Sequence, residues 1–133
     1  MIVVDANVLV YALIEGDRTE LAHQVAQRDL EWVVPALWRH ELLNVLATFT
    51  RLQILEPPQA HRVWLRAVRR LARTERPVDH AAALQLAIDH RISAYDAQYL
   101  VLARHLGVPC ITEDRGLQRR FPDLAISMAG FCR

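Results

Sequence analysis

Short apolar runs alternate along this chain with longer stretches in which apolar positions recur three and four residues apart. Ile2-Val3-Val4, ending at Asp5, predicts a buried strand, and Asn7 to Ile14 carries helical spacing. Gly16-Asp17 breaks that pattern, and Arg18 to Arg28 predicts a polar, exposed helix. Trp32-Val33-Val34 predicts a second strand, stopped by Pro35, with a long helix from about Ala36 to Leu52. Pro57-Pro58 suits the first turn of a helix reaching about Ala72. Asp79 predicts the cap of the next helix, with apolar positions at Leu84 and Ile88. Ser93 opens another, closed by Gly107 just past its last turn. Val108 to Thr112 predicts a third strand, tolerating Pro109 near its start. Gly116 to Phe121 predicts a short turn of helix, and Ala125 to Met128 a last strand.

Strands alternating with helices predict a parallel sheet with helices on both faces. The strands are nearly all apolar, as doubly covered strands should be. The expected fold class is a three-layer α/β domain, rich in helix, whose sheet has about four to five strands. With no repeat, low-complexity stretch or linker, residues 1–133 are expected to form one domain.

Composition narrows the chemistry. Hydrophobic residues make up 53% and charged residues 23%, which excludes a disordered chain. A formal net charge of +1 makes no bulk electrostatic case for nucleic acid, so such binding would need local patches. All 16 basic residues are arginines. Without lysine there is no phosphate-binding P-loop, no Schiff-base enzyme and no lysine-dependent aspartyl-phosphate site. Cys110 and Cys132 form no C-x-x-C and read as reduced thiols of a cytoplasmic protein. Met1 to Ile14 is apolar but interrupted by Asp5 and Asn7 and lacks a preceding basic region, unlike a signal peptide. No stretch approaches the roughly 18 apolar residues of a membrane span.

The acids carry the candidate chemistry. Ligands of open parallel sheets bind beyond the carboxyl ends of the strands. Asp5 stands at that end of the first strand, and Asp114 follows the third by two residues. Asp96 falls in the first turn of the helix opened by Ser93, where the partial charge is positive. Glu41 shares the wheel of its helix with Leu37, Val45 and Leu52 at about 100° per residue, and Trp38, Leu42 and Phe49 complete that apolar face. A carboxylate there needs a partner or a cation, and Arg39 lies on the opposite side. Each acid also has an ordinary explanation. Asp5 could cap the following helix, Ser93-x-x-Asp96 could be a capping box, Asp114 a turn residue and Glu41 a solvated one.

Two carboxylates about 4 Å apart repel by about 4 kcal/mol at an effective dielectric near 20. Four together need a cation or a raised pKa. Oxygen ligands without His or Cys suit Mg²⁺ or Mn²⁺, not Zn²⁺. His40-Glu41-Leu42-Leu43-Asn44 begins like a zinc-protease motif but ends in Asn, so that motif fails.

Val-Val-Asp5-Ala-Asn7-Val-Leu, Glu41 after the second strand, Ser93-Ala-Tyr-Asp96-Ala and Ile-Thr112-Glu-Asp114 together resemble the PIN-domain family, particularly the VapC-type toxins of bacterial toxin–antitoxin systems. The likeness covers essentially the whole chain. It implies a Rossmann-like sheet and Mg²⁺- or Mn²⁺-dependent cleavage of single-stranded RNA, with one or two ions. A homodimer and a cognate antitoxin are implied as partners. Asp5, Glu41, Asp96 and Asp114 map onto the family's acidic quartet, with Asn7 and Thr112 as polar supporters and a counterpart for Ser93. Asp5 and Asp96 are the best candidates for direct ligands. Glu41 ligates or acts through water, and Asp114 binds a second ion or polarises water.

An acidic site repels RNA unless basic groups flank it. Arg115, Arg119 and Arg120 follow Asp114 and are candidates to grip phosphates, against a solvated helix face. Arg62, Arg66, Arg69 and Arg73 form one stripe of the Pro58–Ala72 helix, either a charged outer face or an RNA-facing one. Trp32, Trp38 and Trp64 read as packing, and for Tyr95 and Tyr99 core or dimer packing comes first. Val8, Leu9, Tyr11 and Leu13 could form core or part of an antitoxin groove. The rival functions are a structure-specific DNA nuclease and a non-catalytic module that keeps the fold to bind RNA or protein.

Overall fold

Strand β1 (Ile2–Val4) lies at the centre of a four-stranded sheet, between β2 (Trp32–Val33) and β3 (Cys110–Ile111), with β4 (Ala125–Ile126) on the far edge. A computed structural model describes all residues from Met1 to Arg133. Every strand pair is parallel, with Val3 opposite both Val33 and Cys110. Strand residues alternate between two buried cores. Ile2, Val4, Trp32, Val34 and Ile111 join one, while Val3, Val33, Cys110 and Ala125 join the other. This period-two division is why the strands read as continuously apolar.

The first core is covered by α1 (Ala6–Leu13), α2 (Thr19–Arg28), α3 (Trp38–Arg51), α4 (Pro57–Leu71) and α8 (Met128–Cys132). The second is covered by α5 (His80–His90), α6 (Ala94–Leu106) and α7 (Arg115–Arg120). Three layers result, as the sequence pattern predicts. Local signals set the helix ends as read. Asp79 accepts from the Ala82 N–H at 3.0 Å, Ser93 accepts from the Asp96 N–H at 3.0 Å, and Gly107 ends α6 in the left-handed region at φ 67°.

Several expectations need correction. Met128 begins α8 and is not in the last strand, because the Ser127 hydroxyl accepts from Gly130 N–H at 2.9 Å and starts a helix there. The third strand is shorter than Val108 to Thr112, and the long helix starts at Trp38 rather than Ala36. In α5 the inward residues are Ala83 and Leu86, leaving Leu84 and Ile88 57% and 61% exposed. Val8, Leu9 and Leu13 belong to the core, so they offer no groove to a partner. Trp32 and Trp38 are fully buried, and Trp64 stacks on Trp38 with ring centroids 5.6 Å apart, which is packing. Both cysteines are free thiols, with Cys110 buried. No helix is long and apolar enough to cross a membrane.

Candidate active site

The chain leaves β1 toward β2 on one side and later returns to β3 on the other, so the direction of winding reverses between β1 and β3. Such a reversal opens a crevice at the carboxyl ends of the two strands. Asp5 occupies the crevice at the end of β1, its N–H donating to the Ile111 carbonyl at 2.9 Å. Thr112 occupies it at the end of β3, its N–H donating to the Ile126 carbonyl at 3.0 Å. Side chains at these two positions must meet. The Thr112 hydroxyl donates to Asp5 Oδ2 at 2.7 Å and accepts from the Asp114 N–H at 3.1 Å.

Asp5 and Thr112 are the only buried polar residues of the chain. Although Asp5 stands at the cap position of α1, its carboxylate makes no capping bond. The capping explanation for Asp5 therefore fails. Burial pushes its pKa up; the Thr112 hydroxyl opposes this, and Asp96 and Asp114 raise it further.

Asp96 sits in the first turn of α6. Ser93 does cap that helix, but no return bond joins Asp96 to the Ser93 N–H, so the reciprocal half of a capping box is missing. Burial raises the Asp96 pKa, the Ser93 hydroxyl lowers it, and Asp114 raises it again.

Glu41 lies in the first turn of α3, at the border of the buried stripe rather than within it. The buried positions are Trp38, Leu42 and Leu46, while Leu52 is exposed. The half-buried carboxylate has a partner that sequence reasoning missed: the Tyr99 hydroxyl donates to Glu41 Oε1 at 2.7 Å. The signal was available, since Tyr99 is three residues after Asp96 and so shares its face of α6. Burial raises the Glu41 pKa; Tyr99 opposes this, and Asp5 and Asp96 add to it. The same surroundings push the Tyr99 hydroxyl far above its usual range, burial first and Glu41 second, so it stays a donor. Arg39 turns away to pair with Glu75.

Asp114 is exposed and caps α7, its Oδ1 accepting from the Leu117 N–H at 3.0 Å. Its ordinary role as a turn residue and its place at the site therefore coexist. Gly116 makes room for this carboxylate, because a Cβ there would stand 3.1 Å from Asp114 Oδ1.

The couplings order the four acids. Asp96 and Asp114 raise the pKa of Asp5, Asp5 and Asp96 raise that of Glu41, and Asp114 raises that of Asp96. Glu41 lines one cleft and Asp114 another, the latter shared with Asp96. Every ion pair of the chain lies elsewhere: Arg18 with Glu113, Arg39 with Glu75, and the amino terminus with Asp29 and Glu31. Four carboxylates, none of them in an ion pair, are a hard-oxygen donor set, which fits a divalent cation. No three acids close around one point as a ready cage.

The remaining predicted site residues divide. Asn7 is exposed and lines a cleft with Glu41 but bonds to none of the acids. Arg119 and Arg120 line a second cleft, of about 240 Å³, together with Asp96 and Asp114. Arg120 is partly committed, donating to the His90 carbonyl at 2.6 Å. Arg115 is exposed at the start of α7. Arg62, Arg66 and Arg69 are exposed on α4 and Arg73 is exposed just past its end, and the clefts that Arg62 and Arg66 line contain none of the four acids. Those two arginines thus line clefts apart from the acids. Tyr99 is core, as expected, whereas Tyr95 is 61% exposed at the rim.

Comparison with known proteins agrees with this fold. The family model of the PIN domain matches residues 2–122. Ribonuclease VapC3 of Pyrobaculum aerophilum is 28% identical over 127 residues, 92% of this chain and 96% of that protein. Among solved structures, PAE2754 from Pyrobaculum aerophilum superposes with a TM-score of 0.79 at 20% identity, covering 98% of this chain and 92% of that one. FitAcB from Neisseria gonorrhoeae superposes with a TM-score of 0.66 at 22% identity, covering 96% of each.

Proposed function

The chain belongs to the PIN-domain family, and from that premise we propose that it is a Mg²⁺- or Mn²⁺-dependent endoribonuclease cutting single-stranded RNA. Its likeness to a VapC ribonuclease supports the further reading of a cytoplasmic, homodimeric toxin with a cognate antitoxin. The observation that carries the catalytic reading is the placement of Asp5, Asp96, Glu41 and Asp114 about the β1–β3 crevice, Asp5 and Asp114 joined through Thr112, with none of the four in an ion pair.

Asp5 and Asp96 are the central oxygen donors for the ion or ions, with Glu41 and Asp114 at the sides. A divalent ion held by these carboxylates would supply a polarised water and charge neutralisation for in-line hydrolysis of the phosphodiester. Thr112 fixes the orientation of Asp5 by donating to one of its oxygens, and Tyr99 does the same for Glu41. Each leaves the second oxygen of its carboxylate for the site. Arg119 and Arg120 supply positive charge on the Asp114 side, where a phosphate adjoining the cut would otherwise meet only acids.

The test compares cleavage of single-stranded RNA, single-stranded DNA and flap substrates with Mg²⁺, Mn²⁺ or EDTA. RNA cleavage that needs the ion and disappears in Asp5→Asn and Asp96→Asn is expected. Preferred cleavage of flaps would move the assignment to a DNA nuclease. RNA binding without cleavage under either metal would leave a non-catalytic module.

A further inference from the structure

The flanks of the acidic cluster are chemically unlike. On the Asp114 side the cleft presents Arg119 and Arg120. On the Glu41 side a cleft of about 390 Å³ opens between α1, α3 and the first turn of α6, and Glu41 itself is part of its wall. Its other polar lining is Asn7, Asn44 and His40, all exposed, and its apolar lining includes Val10 and Val45. Tyr95, immediately before Asp96, stands at its edge with most of its ring in solvent. No arginine enters it, so it repels a phosphate while offering apolar surface and amide groups.

Resting on the ribonuclease reading, we infer that this cleft is a nucleobase subsite, taking the base of a nucleotide next to the cut. A base has two apolar faces and an edge of donors and acceptors. Tyr95 presents a ring for one face, as aromatic platforms do for unpaired bases. The Asn7 and Asn44 amides each carry both a donor and an acceptor for the edge. His40 and Asn44 bracket Glu41 on α3, so a base held there adjoins the carboxylate cluster. The strand thus crosses the acids with phosphates toward Arg119 and Arg120 and one base toward Tyr95. Sequence preference at that nucleotide is then set by Tyr95, Asn7 and Asn44 and not by the arginines.

Short oligoribonucleotides carrying each of the four bases, or an abasic residue, beside the cut test this. Tyr95→Ala is expected to slow cleavage about tenfold when a base is present, within the range of one lost stack. The penalty should shrink severalfold on the abasic substrate, and Asn44→Ala should flatten the ranking of the four bases. Equal penalties with and without the base, or unchanged rates, overturn the subsite. If no RNA is cut under Mg²⁺ or Mn²⁺, the ribonuclease reading fails separately. The subsite is then decided by binding of the same oligonucleotides to the Asp96→Asn chain. Discrimination of base from abasic that Tyr95→Ala removes supports it, and equal affinities overturn it.

Discussion

Replacing Thr112 by Val tests whether the site is built as described, because the change keeps the shape and removes one oxygen. That oxygen is wholly buried and makes two bonds: it donates to Asp5 Oδ2 at 2.7 Å and accepts from the Asp114 N–H at 3.1 Å. A hydrogen bond to an ionised carboxylate contributes about 1.5–3 kcal/mol and a neutral one about 1 kcal/mol. The added methyl group returns some of this as apolar burial, roughly 1 kcal/mol. A net loss of about 1.5–3 kcal/mol is expected in EDTA at neutral pH, or roughly 5–12 °C in unfolding midpoint for a chain of this size. The loss should shrink as pH falls and Asp5 takes up a proton, since the bond is then no longer charge-assisted. Function should suffer through orientation, with Mn²⁺ half-saturation of cleavage raised about 10–100-fold, the usual range for a lost carboxylate-orienting partner. Urea titrations at pH 5 and 7 with EDTA, and an Mn²⁺ titration of cleavage, measure both. A variant within about 0.5 kcal/mol of the parent at pH 7, with an unchanged Mn²⁺ requirement, would refute the reasoning.

Two further outcomes are expected. Tyr99→Phe removes the donor at 2.7 Å from Glu41 and should lower cleavage about tenfold, from a loss near 1.4 kcal/mol, while moving the acid limb of the pH profile upward. An unmoved acid limb would show that Tyr99 is only a packing residue. In EDTA, burial first and mutual repulsion next raise the pKa values of Asp5, Glu41 and Asp96, so between the ordinary and the raised values the folded chain holds protons that the unfolded chain releases. Each such proton makes stability fall as pH rises from the ordinary carboxylate range through the raised values, by at most about 1.4 kcal/mol per pH unit. Asp29, whose pKa is lowered, acts in the opposite sense, so the comparison is with Asp5→Asn. The variant should lose less stability between pH 4.5 and 7 than the parent, as read by urea midpoints, and Mg²⁺ or Mn²⁺ should cancel the difference. A parent whose stability rises more steeply than the variant's would contradict the raised pKa of Asp5.

The layers were legible because both cores act on the same strands. Val3 faces one and Val4 the other, so no polar residue can interrupt either, and the run announces double coverage. The less legible parts are those where composition does not discriminate. The inward and outward faces of α5 are both apolar, Ala83 and Leu86 against Leu84 and Ile88, and only packing decides between them. Met128 is compatible with either a strand or a helix, and a single hydroxyl, Ser127, settles it for helix. Glu41 was found for a reason that proved partly mistaken. The wheel placed it inside a buried stripe, whereas it stands at the edge, and its partner is a tyrosine from another helix. A contact across 58 residues leaves no mark on local periodicity.

The positions of the acids were more legible than their geometry, and topology explains the difference. A parallel sheet sends every strand's carboxyl end to one rim, so an acid just after a strand or early in the following helix must lie near the others. Asp5, Asp114 and Glu41 meet that condition from sequence alone. What sequence does not express is how each carboxylate is held. Thr112 is spent on Asp5 and Asp114 together, Tyr99 on Glu41, and Gly116 on leaving Asp114 room. These residues bring no charge of their own, yet they fix which oxygen of each acid remains for a ligand. The quartet supplies the charge, and its neutral neighbours aim it.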